Sequence, residues 1–297
     1  MEVRCLPREE NGRTRALYEE VFVEDEKAFV DAYYQIKAAD NQILVLEDEG
    51  EIVSMLHRNP YTFWFRGKQV PADYIVAVAT RREYRHRGLM RSLLTKALLD
   101  MEEEKKPFTF LMPADEAIYT PFGFRLMGNE DKVSSSEREG PLGGEEGLQE
   151  LASEEPEETY DLFVEKDAAY DRRHIGWPEW ESTPMMIRLV YLPAFVAQIG
   201  AKDPQSLTIE IKDLILCSNN GTFRWEFDTE GSRLIPSEEE PEFWISIADL
   251  GSFLCGMLGT EELPGVSGMQ DVRKKTKLLE KLKKIKVLDS IYINETV

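Results

Sequence analysis

Short runs at 42–46, 52–56, 61–65, 73–80 and 108–112 are either continuously apolar or alternate with period two, which predicts strands, and EDEGE at 47–51 predicts a hairpin turn between the first two. Helical spacing occupies about 12–24 and 26–38. It is plainest from 89 to about 104, where Leu89, Leu93, Leu94, Ala97, Leu98 and Met101 fall on one face. The order ααββββαβ predicts a mixed α/β sheet with flanking helices. The strands at 73–80 and 108–112 should run parallel, because a crossover helix joins them.

Downstream the texture changes. Residues 129–158 hold eleven acidic residues against Lys132 and Arg138, together with SSS, GPLGG and Pro156, and read as an acidic linker. A helix is expected at 161–173, broken by Pro178. The runs MMIRLVYL, SLTIEIKDLILC, FRWEF and FWISIA then read as strands, with SNNG at 218–221 as a hairpin turn and ADLGSFLCGML as a helix. Residues 272–286 carry eight Lys or Arg against Glu280, with Leu278, Leu279, Leu282 and Ile285 on one stripe, the pattern of an amphipathic helix with a basic face. The expected organisation is two-domain: an α/β domain at 1–128, the linker and a connecting helix at 129–183, and a separate α+β domain at 184–297.

Two domains also suit a chain of 297 residues with 42% hydrophobic positions. No window approaches the uncharged apolar length of a membrane span, so no membrane span is expected. A formal charge of −20 disfavours phosphate backbones, so nucleic acid is not an expected partner. Cys5, Cys217 and Cys255 are scattered without a CxxC, and the N-terminal segment lacks the apolar core of a signal peptide; a cytoplasmic location is expected. The three histidines show no ligand spacing, and no metal is expected.

The chemistry concentrates in VAVATRREYRHRGLMRSLLTKALL at 76–99. A strand ends, a basic loop with a glycine follows, and a helix starts at once. The first amides of such a helix lack intrahelical acceptors and lie at the positive end of its dipole, so they suit a pyrophosphate. Gly88 permits close backbone approach, and Arg85, Arg87 and Arg91 add positive charge to an otherwise acidic chain.

The form Arg85-His86-Arg87-Gly88-Leu89-Met90 after the strand VAVAT resembles the acetyl-CoA motif of the GNAT N-acetyltransferase superfamily. Met90 stands where Gly or Ala is usual, and this resembles the enhanced intracellular survival (Eis) branch. FLMPADEAIYTPFGF at 110–124 resembles that branch's tyrosine motif, and the segments from MMIRLVYL onward resemble its sterol carrier protein-like C-terminal domain. The 55 or so residues at 129–183 are too few for the second acetyltransferase-like domain that larger members insert there.

The resemblance implies a fold, a cofactor and a site. Acetyl-CoA would be the co-substrate, with its pantetheine arm held by Val78, Ala79 and Thr80. Its pyrophosphate would lie on the loop and helix amides of Arg85, His86, Arg87, Gly88, Leu89, Met90 and Arg91, and a further contact pair would fall at Ala114 and Asp115. Tyr119 would be the general acid, and the terminal carboxylate, here that of Val297, the base. A base is needed because an amine with a pKa near 10.4 is ionised at pH 7, and stripping its proton costs about 4–5 kcal/mol. No cysteine lies near the motif, so direct attack in a ternary complex is expected. The acceptor is read as a cationic small-molecule amine or a lysine-like group, with homo-oligomer formation left open. The rival reading is a non-catalytic acyl-CoA sensor or apolar-ligand-binding module.

Overall fold

The computed structural model describes residues 1–127, 160–174, 184–268, 272–293 and 295. The acidic linker, Trp177, Trp180 and Val297 lie outside these residues. Strand β1 (Arg4–Cys5) is followed by a 3-10 segment and the helices α1 (Arg15–Val21) and α2 (Lys27–Ala32). α2 continues as a π-helix over Tyr33–Lys37. The two helical stretches expected at 12–24 and 26–38 are thus present but shorter and composite.

Strands β2 (Gln42–Asp48), β3 (Glu51–Phe65) and β4 (Lys68–Thr80) form an antiparallel meander. The β3–β4 turn is made by Arg66 and Gly67, both at positive φ (+46° and +73°), the twist that two-residue hairpins favour. The runs at 52–56 and 61–65 are one strand, not two. Pro60 does not break it, because the Pro60 carbonyl points away from β4, where it accepts a hydrogen bond from Arg173 Nη1 at 2.6 Å. A residue's N–H and C=O lie on the same side of a strand, so the N–H that proline lacks also falls on the side away from β4.

Helix α3 (Leu89–Glu103) crosses over and buries the six apolar residues its spacing marks. It delivers β5 (Phe108–Leu111) parallel to β4, as the crossover requires. Next come α4 (Glu116–Tyr119) and β6 (Arg125–Leu126). The helix expected at 161–173 is in fact strand β7 (Leu162–Val164) followed by α5 (Ala168–His174). Leu162, Phe163 and Val164 pair with Phe63–Phe65 of β3, and that edge-strand opportunity overrides local periodicity.

Strand β8 (Met186–Leu189) is antiparallel to both β5 and β6, so it belongs to the first sheet. After α6 (Leu192–Val196), the strands β9 (Gln205–Lys212), β10 (Gly221–Phe227), β11 (Ser232–Pro236) and β12 (Phe243–Ser246) build a second, four-stranded sheet. Its order is β11-β10-β9-β12, with β12 parallel to β9. Helices α7 (Ile247–Leu254), α8 (Leu263–Val266) and α9 (Val272–Leu282) follow. The chain then returns to the first sheet as β13 (Ile291–Tyr292), parallel to β7. The molecule is a mixed α/β protein, and among the described residues nine strands make the larger sheet. Among the described residues no helix is long and apolar enough to cross a membrane.

Candidate active site

β5 accompanies β4 only at Asp73–Thr109 and Tyr74–Phe110. On that side the β4 backbone from Ile75 to Thr80 has no partner strand among the described residues, so its edge is free to bind an extended ligand. A bulge marks the place. The register to β3 shifts between Met55 and His57, and Ala77 takes a φ of +50°, a conformation that costs a residue with a Cβ of order 1 kcal/mol or more. Val78 and Thr80 are half-buried, whereas Ala79 is buried against α1 and α2.

The loop after β4 leads directly to α3. His86 and Gly88 both have left-handed backbones, φ +62° and +80°, and Gly88 is the N-cap residue of α3 with no side chain capping the helix. The first turn, Leu89, Met90 and Arg91, therefore presents orphan amides, and nothing lies within 4 Å of where a Cβ on Gly88 would stand. Arg85, Arg87 and Arg91 are exposed around it. Arg85 Nε donates to the Thr80 carbonyl at 3.1 Å, Arg87 lies over the Tyr84 ring at 4.9 Å, and Arg91 lies over the Phe122 ring at 5.1 Å. The last contact joins the α3 N-terminus to the turn that carries Tyr119.

Ala114 and Asp115 are exposed at the start of that turn, and the Asp115 carboxylate caps α4 by accepting from the Ala117 amide at 2.9 Å. Tyr119 ends α4 and is 8% exposed, its ring edge-on to Phe124. Burial alone pushes its hydroxyl up to about 12, and it has no hydrogen-bond partner among the described residues. Tyr119 is thus a protonated donor at neutral pH, sharing its surroundings with Tyr74, whose ionisation both Tyr119 and Glu295 oppose.

Sequence reasoning missed a second group of residues on the same face of the sheet. His57, Asn59 and Tyr61 alternate along β3 and so point to one side. The π-helix places Lys37 there, α5 places Tyr170, Arg173 and His174, and the C-terminal segment places Glu295, which is 3% exposed. Tyr170 donates to Glu295 Oε1 at 3.1 Å. His174 Nδ1 donates to the Tyr170 carbonyl at 2.7 Å, so in the neutral ring Nε2 is the acceptor and takes a hydrogen bond from Lys37 Nζ at 2.8 Å. Burial, reinforced by Arg173, lowers the Lys37 ammonium to about 7, against the opposing pull of Glu295. Burial alone lowers His57 to about 3.

Several buried polar atoms in this seam lack hydrogen-bond partners among the described residues: His57 Nε2, both amide atoms of Asn59, the Tyr61 hydroxyl, Arg173 Nε and Nη2, and Glu295 Oε2. Each such atom costs about 1–3 kcal/mol when nothing completes it, so the concentration marks a place built to hold a polar guest. One sequence signal could have shown it: polar residues at alternate positions of β3 on a face that is otherwise core.

Residues 2–127 match the acetyltransferase (GNAT) domain family, and residues 192–288 match the sterol carrier protein domain family. The chain therefore carries a GNAT acetyltransferase domain, followed by a sterol carrier protein domain C-terminal to it. The same overall fold occurs in a probable N-acyltransferase from Enterococcus faecalis V583, with TM-score 0.71, 15% identity and 99% of each chain covered. It occurs also in a GCN5-related N-acetyltransferase from Kribbella flavida, with TM-score 0.69, 16% identity and 100% of each chain covered. Eis1 from Mycobacterium abscessus shares it at TM-score 0.65 and 14% identity, over 100% of this chain and 99% of that one. Among curated proteins none matches the sequence.

Proposed function

We propose that the protein transfers an acetyl group from acetyl-CoA to a primary amine, carried by a cationic small molecule or a lysine-like acceptor, by direct attack in a ternary complex. The observation that carries this reading is the buried Tyr119, whose hydroxyl has no hydrogen-bond partner among the described residues and whose turn touches the α3 N-terminus through Arg91 and Phe122. The free edge of β4 at Val78–Thr80 suits a pantetheine arm, and the left-handed His86 and Gly88 with the first α3 amides suit a pyrophosphate. The deprotonated amine nitrogen attacks the acetyl carbonyl carbon and the C–S bond breaks. The departing CoA thiolate takes the Tyr119 proton; the ammonium has lost one proton to a base before attack, and the second proton, lost from nitrogen as the amide forms, restores Tyr119. In this proposal the base is the carboxylate expected at Val297, two residues beyond the buried Glu295.

Free-thiol release from acetyl-CoA is measured against a panel of primary amines, including polyamines, aminoglycosides and lysine derivatives. Amine-dependent release supports the reading. Acetyl-CoA binding without release across the panel would favour the acyl-CoA sensor instead.

A further inference from the structure

The polar seam under β3 contains both signs of charge, each offered by an unpartnered group. Arg173 is anchored through Nη1 on the Pro60 carbonyl, with its guanidinium 5.8 Å from the centre of the Tyr61 ring. That leaves the Nε and Nη2 edge buried and unpaired. The same edge of Arg4 grips both oxygens of Glu47, at 2.9 and 2.7 Å, so its chemistry is that of a two-pronged carboxylate donor. Glu295 lies across the seam, nine-tenths and more buried. Its Oε1 is occupied by Tyr170, while Oε2 accepts no hydrogen bond among the described residues: His174 Nε2, 3.4 Å away, already uses its lone pair on Lys37. The Asn59 amide and the Tyr61 hydroxyl, buried and unpartnered, lie on the strand between them.

The groups form one cluster. Arg173 and His174 are neighbours on α5, the Tyr170 and His174 rings stack at 3.7 Å, and Tyr61 meets both rings at 6.4 Å. Tyr74, packed on Tyr61, links the cluster to Tyr119. A simple polyamine would satisfy Glu295 but would put positive charge against Arg173 and Lys37. A molecule with an ammonium at one end and a carboxylate at the other satisfies both.

We propose that the acceptor is an amino carboxylate, an amino-acid-type molecule whose carboxylate binds the Nε/Nη2 edge of Arg173 and whose ammonium is positioned by Glu295 before it is deprotonated. This rests on the acetyl-transfer reading but is tested apart from it, by binding. The full-length protein, saturated with CoA, is titrated calorimetrically with free amino acids, lysine included, and with the matching amino acid amides and decarboxylated amines.

The expected result is that at least one free acid binds ten-fold or more tightly than its amide. Arg173→Gln should erase that preference while leaving CoA affinity and the circular dichroism spectrum unchanged. Glu295→Gln should weaken acid and amide alike. Equal or tighter binding of the amides, no binding across the panel, or a preference that survives Arg173→Gln would each overturn the proposal. Acid-selective binding lost in Arg173→Gln, without thiol release from acetyl-CoA, supports the site while removing the transferase reading. Thiol release driven equally well by amines without a carboxylate removes the site while keeping the transferase.

Discussion

Arg188 of the first sheet and Asp213 at the end of β9 in the second form an ion pair buried on both sides, with Arg188 Nη2 at 2.7 Å from each carboxylate oxygen. Asn219 Nδ2 and the amides of Ile215 and Leu216 complete the carboxylate. Breaking a buried pair from one side strands the other charge, so Asp213→Asn or Arg188→Met should cost about 3–5 kcal/mol in a denaturant titration. Burial works against ionisation of Asp213, yet the Arg188 guanidinium and the hydrogen bonds of Asn219 and Ile215 hold its carboxyl below the ordinary range. Its folded value is therefore below its unfolded one, and its contribution is present above about pH 4 and lost as pH falls through the folded value. The double substitution should flatten that acid limb.

Tyr119→Phe removes a hydroxyl that makes no hydrogen bond among the described residues, so folding should be nearly unchanged. Turnover should fall by about 10²–10⁴ with acetyl-CoA affinity retained. Because burial pushes the hydroxyl up to about 12, the wild-type rate should show no alkaline loss assignable to Tyr119 below that pH. Near-normal turnover in the variant would take Tyr119 out of the reaction.

Gly88→Ala separates the backbone's role from its surroundings. With φ at +80° and no atom within 4 Å of the added methyl, the folding cost is conformational, about 1 kcal/mol. A bound pyrophosphate would meet that methyl directly. The Km for acetyl-CoA should rise roughly ten-fold or more, out of proportion to the change in melting temperature.

Lys37 gives a signature of the same sign as that of Asp213, displaced to alkaline pH. Burial lowers its ammonium to about 7 in the fold, while the unfolded chain keeps the ordinary value of 10.5. Between those two values the unfolded chain binds more protons, so the Lys37 contribution to stability rises with pH across that window. Lys37→Met should remove the rise; a stability profile unaltered by the substitution would show that the amine is not buried as described.

Much of the first sheet could be read from residue order because its signals are local. The α3 stripe, the EDEGE turn and the parallel relation of β4 to β5 each depend on neighbours in sequence. The failures are non-local. Leu162–Val164 becomes a strand only because Phe63–Phe65 offers an unpaired edge, and Met186–Leu189 joins the first sheet only because β5 has a free side. The runs at 52–56 and 61–65 read as two strands until the outward orientation of Pro60 shows how one strand can continue through it. The loop residues 85–91 were visible as a cluster in one stretch of sequence. The seam was not, because Lys37, Tyr61, Arg173 and Glu295 are scattered from one end of the chain to the other and converge only after the sheet has closed.

The order in which the larger sheet is assembled has a consequence for how the protein is made. Its strands include residues 162–164, 186–189 and 291–292, and the last of these follows the whole sterol carrier protein domain. A ribosome releases the chain from its N-terminus, so β3 waits for β7, and β7 waits for β13, until the sterol carrier protein domain between them has emerged. The sheet begun first is thus closed only after the whole second domain has been made, and the seam beneath it receives Glu295 later still.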